Sequence, residues 1–143
     1  MNHKEQTLLS GNQGEWSEPY VFLKLLSDGV VHAADEQLNK IPSLFYHIVN
    51  IFRSDTGAKL EYMVGTNIKI IDSASRNLLD EVPSYCITDY LSEFLNDIQN
   101  LTGKRKKTIP KADTLLHRLH RTKLKDESGK SDITLVVHDP VTS

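Results

Sequence analysis

Apolar and polar positions along this chain follow two periods, and the switches between them mark out its elements. Ser10-Gly11-Asn12-Gln13-Gly14 is a turn composition that leads into a helix. From Glu15 onward Tyr20 and Leu23, with Val21 and Leu25 beside them, hold helical spacing. Pro19 is placed near the first turn, where its missing amide costs nothing, and Asp28-Gly29 closes the helix because Gly accepts a left-handed cap. Gly29 to Ala34 reads as a short strand. Leu44 to Phe52 fits a strand, with Phe45, His47, Val49 and Ile51 on one side, about as well as a short helix, and its β-rich neighbours favour the strand. Turns at Ser54-Asp55-Thr56-Gly57 and Gly65-Thr66-Asn67 separate strands over Lys59 to Val64 and Ile68 to Ile71, which makes a small meander.

Ser73 to Glu81 is predicted helical, ending before Val82-Pro83. The next helix carries the strongest stripe in the chain: Ile87, Tyr90, Leu91, Phe94, Leu95 and Ile98 share one face, and Glu93, Asn96 and Asp97 take the other. Gly103 and the run Lys104-Arg105-Lys106-Lys107 break it. Pro110 opens a further helix with Leu115, Leu116 and Leu119 as its core residues. Ile133 to His138 is a β-branched strand, predicted buried, that Asp139-Pro140 ends. There are no repeats and no low-complexity segment.

Composition narrows the class without naming it. The 143 residues suit one domain with a real core, and 38% hydrophobic with 25% charged residues is ordinary for a soluble protein. The single cysteine, Cys86, excludes an internal disulfide and a cysteine zinc cage, and points to a reducing cytoplasm. No apolar run approaches the roughly 20 residues of a membrane span, and the polar Met1 to Gln6 lacks a signal peptide's apolar stretch. The net charge of −2 conceals an asymmetry: Leu101 to Lys130 holds ten Lys and Arg against three acids, so about +7 there opposes −9 elsewhere. A basic segment of that kind suits a polyanion contact as well as it suits a solvated linker and helix face.

Several side chains are candidates for chemistry. Asp132 stands at the mouth of Ile133-Thr134-Leu135-Val136-Val137, where an acid is either a strand-start residue or a ligand for a hard divalent cation. Glu15 and Glu18 lie one turn apart at a helix start, a place the helix dipole makes favourable for acids in any case. Trp16 between them is expected to anchor the core. His117 and His120, spaced i, i+3, share a helix face without an evident third metal ligand. With Arg118, Arg121, Lys123 and Lys125 they make a basic helix end suited to a phosphate backbone, as does the run from Lys104 to Lys107. His32 and His47 are expected to be packing residues on strands, and Cys86 to be at least partly buried beside Ile87. No P-loop, dinucleotide fingerprint, nucleophile elbow or zinc-finger spacing occurs.

The run from Gly11 through Leu26, with Asp28-Gly29, resembles the opening of HpaII-type restriction endonucleases. Ala33-Ala34-Asp35-Glu36-Gln37-Leu38-Asn39-Lys40-Ile41, Lys130-Ser131-Asp132-Ile133 and Val137-His138-Asp139-Pro140 resemble later segments of that family, in the family's order. The family is in turn similar to the PD-(D/E)xK nucleases, in which an Asp enters one core strand and an acid-x-Lys lies on the next. The resemblance implies an α+β fold: a small β-meander with flanking helices leading into the first core strand of a restriction-endonuclease-like mixed sheet, truncated. It implies Asp132 as a catalytic and metal-binding acid, and Glu15 or Glu18 as the helix carboxylate, Glu15 being preferred because it follows the Gly turn directly. Mg²⁺ is the implied cofactor, double-stranded DNA the implied partner, and a homodimer the arrangement a palindromic site invites.

No Lys in the family's context follows Asp132, so the expectation is a catalytic core left incomplete, with the last strand lacking a partner and this chain alone inactive or nearly so. The alternative is a non-catalytic module that binds DNA or a protein through Lys104 to Lys125 and uses Asp132 structurally.

Overall fold

The computed structural model describes residues 8–55, 57–124 and 133–138, and the backbone of 141–142. After a two-residue strand β1 (Ser10–Gly11), helix α1 (Gln13–Asp28) starts two residues earlier than its apolar spacing suggests. Asn12 sets that start. Its side chain accepts from the Glu15 amide at 2.9 Å while the Glu15 carboxylate accepts from the Asn12 amide at 3.1 Å, a reciprocal capping box. Pro19, expected near the first turn, therefore falls further inside the helix, where it is buried. Gly29 ends α1 in the left-handed conformation, φ +65°, as predicted.

The strands follow as β2 (Val30–Ala34), β3 (Lys40–Asp55), β4 (Ala58–Met63), β5 (Asn67–Asp72) and β6 (Leu78–Pro83). Helix α2 (Ser84–Gln99), the two-residue β7 (Lys107–Thr108), helix α3 (Pro110–Arg118), β8 (Thr134–Val137) and β9 (Val141–Thr142) complete the order. The meander and flanking helices are those expected, and every strand pairing among the described residues is antiparallel.

One predicted element changes type. Ser73 to Glu81 is not helical: Asp72 to Arg76 turns, and Leu78–Pro83 pairs with β5. Leu78-Leu79-Asp80-Glu81 carries no β signal of its own. Pairing with Ile68 and Ile70, and burial of Val82, override local preference.

β3 organises the sheet. At roughly 3.3 Å per residue its 16 residues extend about 50 Å. β2 pairs with its first part through Val30↔His47 and β4 with its last part through Asp55↔Ala58. β8 and β9 lie antiparallel along β3 as well, from Phe52↔Thr134 to Leu44↔Thr142. The two faces differ. Ile51, Arg53, Leu60, Tyr62, Ile68, Ile70 and Val82 pack in one core with Trp16, Phe22, Leu23 and Leu26 of α1, Ile87, Phe94 and Ile98 of α2, and Leu116 of α3. The face bearing Phe52, Glu61, Met63, Lys69 and Val136 is unevenly covered: Glu61 is buried beneath Asn50 and Arg76 and Phe52 is half-buried, whereas Met63 and Val136 are 40% and 44% exposed.

Candidate functional site

The first turn of α1 and the basic run, distant in sequence, are brought together. Ser10↔Thr108 and Gly11↔Lys107 form a two-stranded ladder, and the Trp16 indole N–H donates to the Lys107 carbonyl at 2.9 Å. Trp16 is fully buried, edge-on to Phe94 at 6.0 Å, so it is the core anchor that the sequence suggests. Gly11 permits a close approach here, because a Cβ on it would lie 2.5 Å from Leu124 Cδ1 and 3.0 Å from Glu15 Cβ. Lys104, Arg105, Lys106 and Lys107 are all exposed on the connector between α2 and α3. The arrangement is a cationic turn held against a helix N-terminus by three backbone-directed contacts. It suits binding of a polyanion's phosphates.

Glu15 occupies that same corner, but its carboxylate serves the cap of α1. Glu18, one turn on, is exposed. Among the described residues no group of three His, Cys, Asp or Glu side chains gathers as a metal site. Asp132 and Lys125 lie outside the described residues.

The basic residues after α3 do not continue the exposed surface of those before it. α3 ends at Arg118, and His120 takes a left-handed conformation at φ +60°, so His117 and His120 do not share a helix face. His117 Nδ1 is 2.8 Å from the Asp113 carbonyl, and His120 Nε2 is 3.9 Å from an Asp80 carboxylate oxygen. Arg118 stays exposed with Nη2 3.4 Å from the Glu81 carbonyl, and Lys123 is exposed. Arg121 corrects the expected set. It is 1% exposed, its guanidinium lies 5.2 Å from the Phe22 ring centroid, and it donates to the carbonyls of Lys123 (3.1 Å) and Leu124 (2.8 Å). A side chain so placed closes the 119–124 turn over the core and does not reach a DNA backbone.

Beside it is an ionic cluster that sequence reasoning missed. Arg53 and Asp55, both 4% exposed, are paired at 2.7 Å, and Arg53 also lies 5.6 Å from the Phe22 centroid. Arg53 Nη1 donates to the Tyr62 hydroxyl, which donates in turn to the Leu119 carbonyl at 2.6 Å. Asp55 accepts from the amide of Thr122 at 2.8 Å and from its hydroxyl. Burial alone pushes the Asp55 carboxyl up, but the Thr122 hydroxyl, Arg53 and the Thr122 amide together hold it below the ordinary carboxylate value. The Tyr62 hydroxyl is pushed up, chiefly by burial. The signal was present: Ile51, Arg53 and Asp55 alternate on one face, so the strand runs on through the charges into what reads as a turn.

His32 is half-buried and His47 exposed, both grouped with Phe45, at ring separations of 5.7 and 5.5 Å. Cys86 is half-buried. The strand after Asp132 forms, but it is not the buried strand expected: Val136 and Val137 are 44% and 37% exposed and Leu135 is partly buried. No helix among the described residues is long and apolar enough to cross a membrane.

A family model described as HpaII restriction endonuclease matches residues 12–143. The chain is 38% identical over 131 residues to the type II restriction enzyme HpaII of Haemophilus parainfluenzae, a stretch covering 91% of this chain and 36% of that protein. It thus spans little more than a third of the length of the curated relative it matches. No solved structure matches it.

Proposed function

The chain belongs to the HpaII restriction endonuclease family, and on that premise we propose that it is the N-terminal part of a Mg²⁺-dependent cytoplasmic enzyme that hydrolyses both strands of DNA at a specific sequence. The single observation that carries this reading is the match of the family model across residues 12–143. Asp132 is the proposed catalytic acid, by its place in the sequence two residues before Thr134, the first residue of β8. Glu15 is the proposed helix carboxylate, and its corner beside the basic turn supports it, although the carboxylate is already engaged in the cap. The described side chains do not by themselves fit a Mg²⁺ site, because no third ligating residue stands with Glu15. The remaining ligands are assigned to Asp132 and to the part of a family-length chain that the match does not cover.

DNA contact is assigned to Lys104, Arg105, Lys106 and Lys107, with Arg118, Lys123 and Lys125 as outlying phosphate contacts. These residues position a duplex; they do not read its bases. A dimer about the two-fold of a palindromic site completes the reading.

The test is cleavage of unmethylated plasmid DNA with Mg²⁺ and an EDTA control. Three samples are compared: this chain, a chimera in which residues 12–143 replace the matching stretch of the Haemophilus parainfluenzae enzyme, and the chimera carrying Asp132→Ala. The chain alone is expected to leave the plasmid intact, the chimera to give discrete EDTA-sensitive fragments, and the variant to give none. Discrete fragments from the chain alone would refute its incompleteness. A folded chimera that never cuts would refute the nuclease reading.

A further inference from the structure

A recess of about 300 Å³ opens on the sheet face turned away from α1 and α2. Phe52 and Ser54 of β3, Lys59 of β4, Ser73 and Thr134 of β8 line it. The strand register brings them there. Phe52 is aligned with Thr134 and Ser54 with Lys59, and the Ser73 amide donates to the Lys59 carbonyl at 2.9 Å. One ammonium and three hydroxyls, from four separate stretches of chain, thus share one face beside an aromatic ring.

Every polar side chain in this set can donate a hydrogen bond, and no acid lines the recess. Glu61, the carboxylate that β4 carries on the same face, is 5% exposed and engaged by Asn50 and Arg76. Lys59 is exposed and makes no ion pair among the described residues. The Ser73 hydroxyl is buried and has no partner. A buried hydroxyl left unpaired costs stability, so its retention asks for an acceptor from outside the chain. A cation would find no anionic ligand here. A tetrahedral oxyanion, with several acceptor oxygens on one centre, would meet the ammonium and the hydroxyls together.

We propose that this recess is a phosphate subsite, in which Lys59 and the hydroxyls of Ser54, Ser73 and Thr134 hold one backbone phosphate of a DNA duplex, separately from the basic turn at Lys104 to Lys107. The inference rests on the reading of DNA as the partner. Thr134 is the first residue of β8 and follows the proposed catalytic Asp132 by two positions in the sequence. Phosphate contacts fix the register and orientation of a duplex, so one made here sets the duplex relative to the start of β8. Free phosphate carries the same oxygens, and the experiment separates the two sources.

Amide chemical shifts of the chain are followed as a short double-stranded oligonucleotide is added at low salt, and separately as inorganic phosphate is added at constant ionic strength. The duplex is expected to move the amides of Lys59, Ser73 and Thr134, and inorganic phosphate to move them only at far higher concentration. Lys59→Gln flattens the salt dependence of duplex binding by roughly 0.9 in slope. Ser73→Ala weakens binding about three- to tenfold with the slope unchanged, because a hydroxyl displaces no counterion. The same variant does not lower the Tm of the free chain, since the hydroxyl has no partner to lose. Lys40→Gln, exposed at the other end of β3, keeps the parent slope.

Unmoved amides, an unchanged slope in Lys59→Gln, or an equal loss in Lys40→Gln overturns the proposal. So does a Ser73→Ala chain that binds as before, which would leave the hydroxyl to a water. Inorganic phosphate binding at lower concentration than the duplex would assign the recess to the free ion and overturn the backbone contact. Cleavage is read separately. A chimera that cuts equally well with Lys59→Gln and Ser73→Ala refutes the subsite alone, and a chain that holds the duplex in the recess while the chimera never cuts refutes the nuclease reading alone.

Discussion

The two basic stretches on either side of α3 have similar composition and opposite fates. Lys104 to Lys107 is solvent-exposed along its whole length, pinned only through backbone contacts to β1 and Trp16. Arg121, three residues beyond α3, is among the most buried side chains in the molecule. What separates them is the partner each finds. Arg121 meets the face of Phe22 and donates to two carbonyl oxygens of its own turn, so its planar guanidinium is held inside the core. The cluster before α3 meets water. Counting charges cannot tell a binding surface from a buried strut; the acceptors within reach decide it.

That contrast is open to direct attack. The largest effect is expected from Asp55→Ala, which strands the buried Arg53 and frees the 119–124 turn; the loss is about 3–5 kcal/mol of stability by denaturant unfolding. A loss below about 1 kcal/mol would mean that Arg53 is solvated, and would sink the buried-cluster account. Arg121→Ala is expected to cost about 2–4 kcal/mol by leaving a void beside Phe22 and two unpaired carbonyls. If it instead weakened DNA binding and spared stability, Arg121 would belong to the surface after all.

Acid gives a milder version of the first experiment. The Asp55 carboxyl is held below its ordinary value in the folded chain, so the stability it contributes is complete above that ordinary value, near 3.8, and is lost as the pH falls below it towards the folded value. A pH titration of unfolding should show an acid-limb slope that Asp55→Asn reduces. An unchanged slope would assign the acid sensitivity to other groups.

The smallest stability effect belongs to the other member of the pair. Lys104, Arg105, Lys106 and Lys107 all changed to Gln should alter stability by no more than about 0.5 kcal/mol. In the chimera, where a duplex is expected to bind, the same change should flatten the salt dependence of DNA binding by up to roughly 0.9 in slope for each phosphate no longer neutralised. A fall in stability without a change in slope would reverse the comparison.

Much of this was legible in the sequence, for identifiable reasons. The stripe Ile87, Leu91, Phe94, Ile98 gives α2 because a helix that must cover a sheet needs one apolar face, and those four are its buried residues. Turn residues at Gly57 and Gly65 mark out the meander. β6 was not legible, since Leu78-Leu79-Asp80-Glu81 becomes a strand only through pairing with β5. The full length of β3 is legible only in the alternation of Ile51, Arg53 and Asp55, because its charged end reads first as a turn; Arg53 and Asp55 pair with each other, and Asp55 with Thr122 far along the chain. Of the candidate site, the exposure of Lys104 to Lys107 followed from composition, and the burial of Arg121 could not, because Phe22 lies almost a hundred residues away.

The length of β3 also sets an order of events during synthesis. Its neighbour β4, and β5 which pairs with β4, follow at once and can form as hairpins, but Thr134, which faces Phe52, comes more than half the chain later. At ribosomal speeds of about 5–20 residues per second, one side of β3 waits bare for on the order of ten seconds before β8 arrives. A bare edge on a strand about 50 Å long is a template for any extended segment nearby. Ser43, His47, Asn50 and Arg53 interrupt its apolar residues, and polar interruptions of that kind oppose the aggregation of an exposed strand.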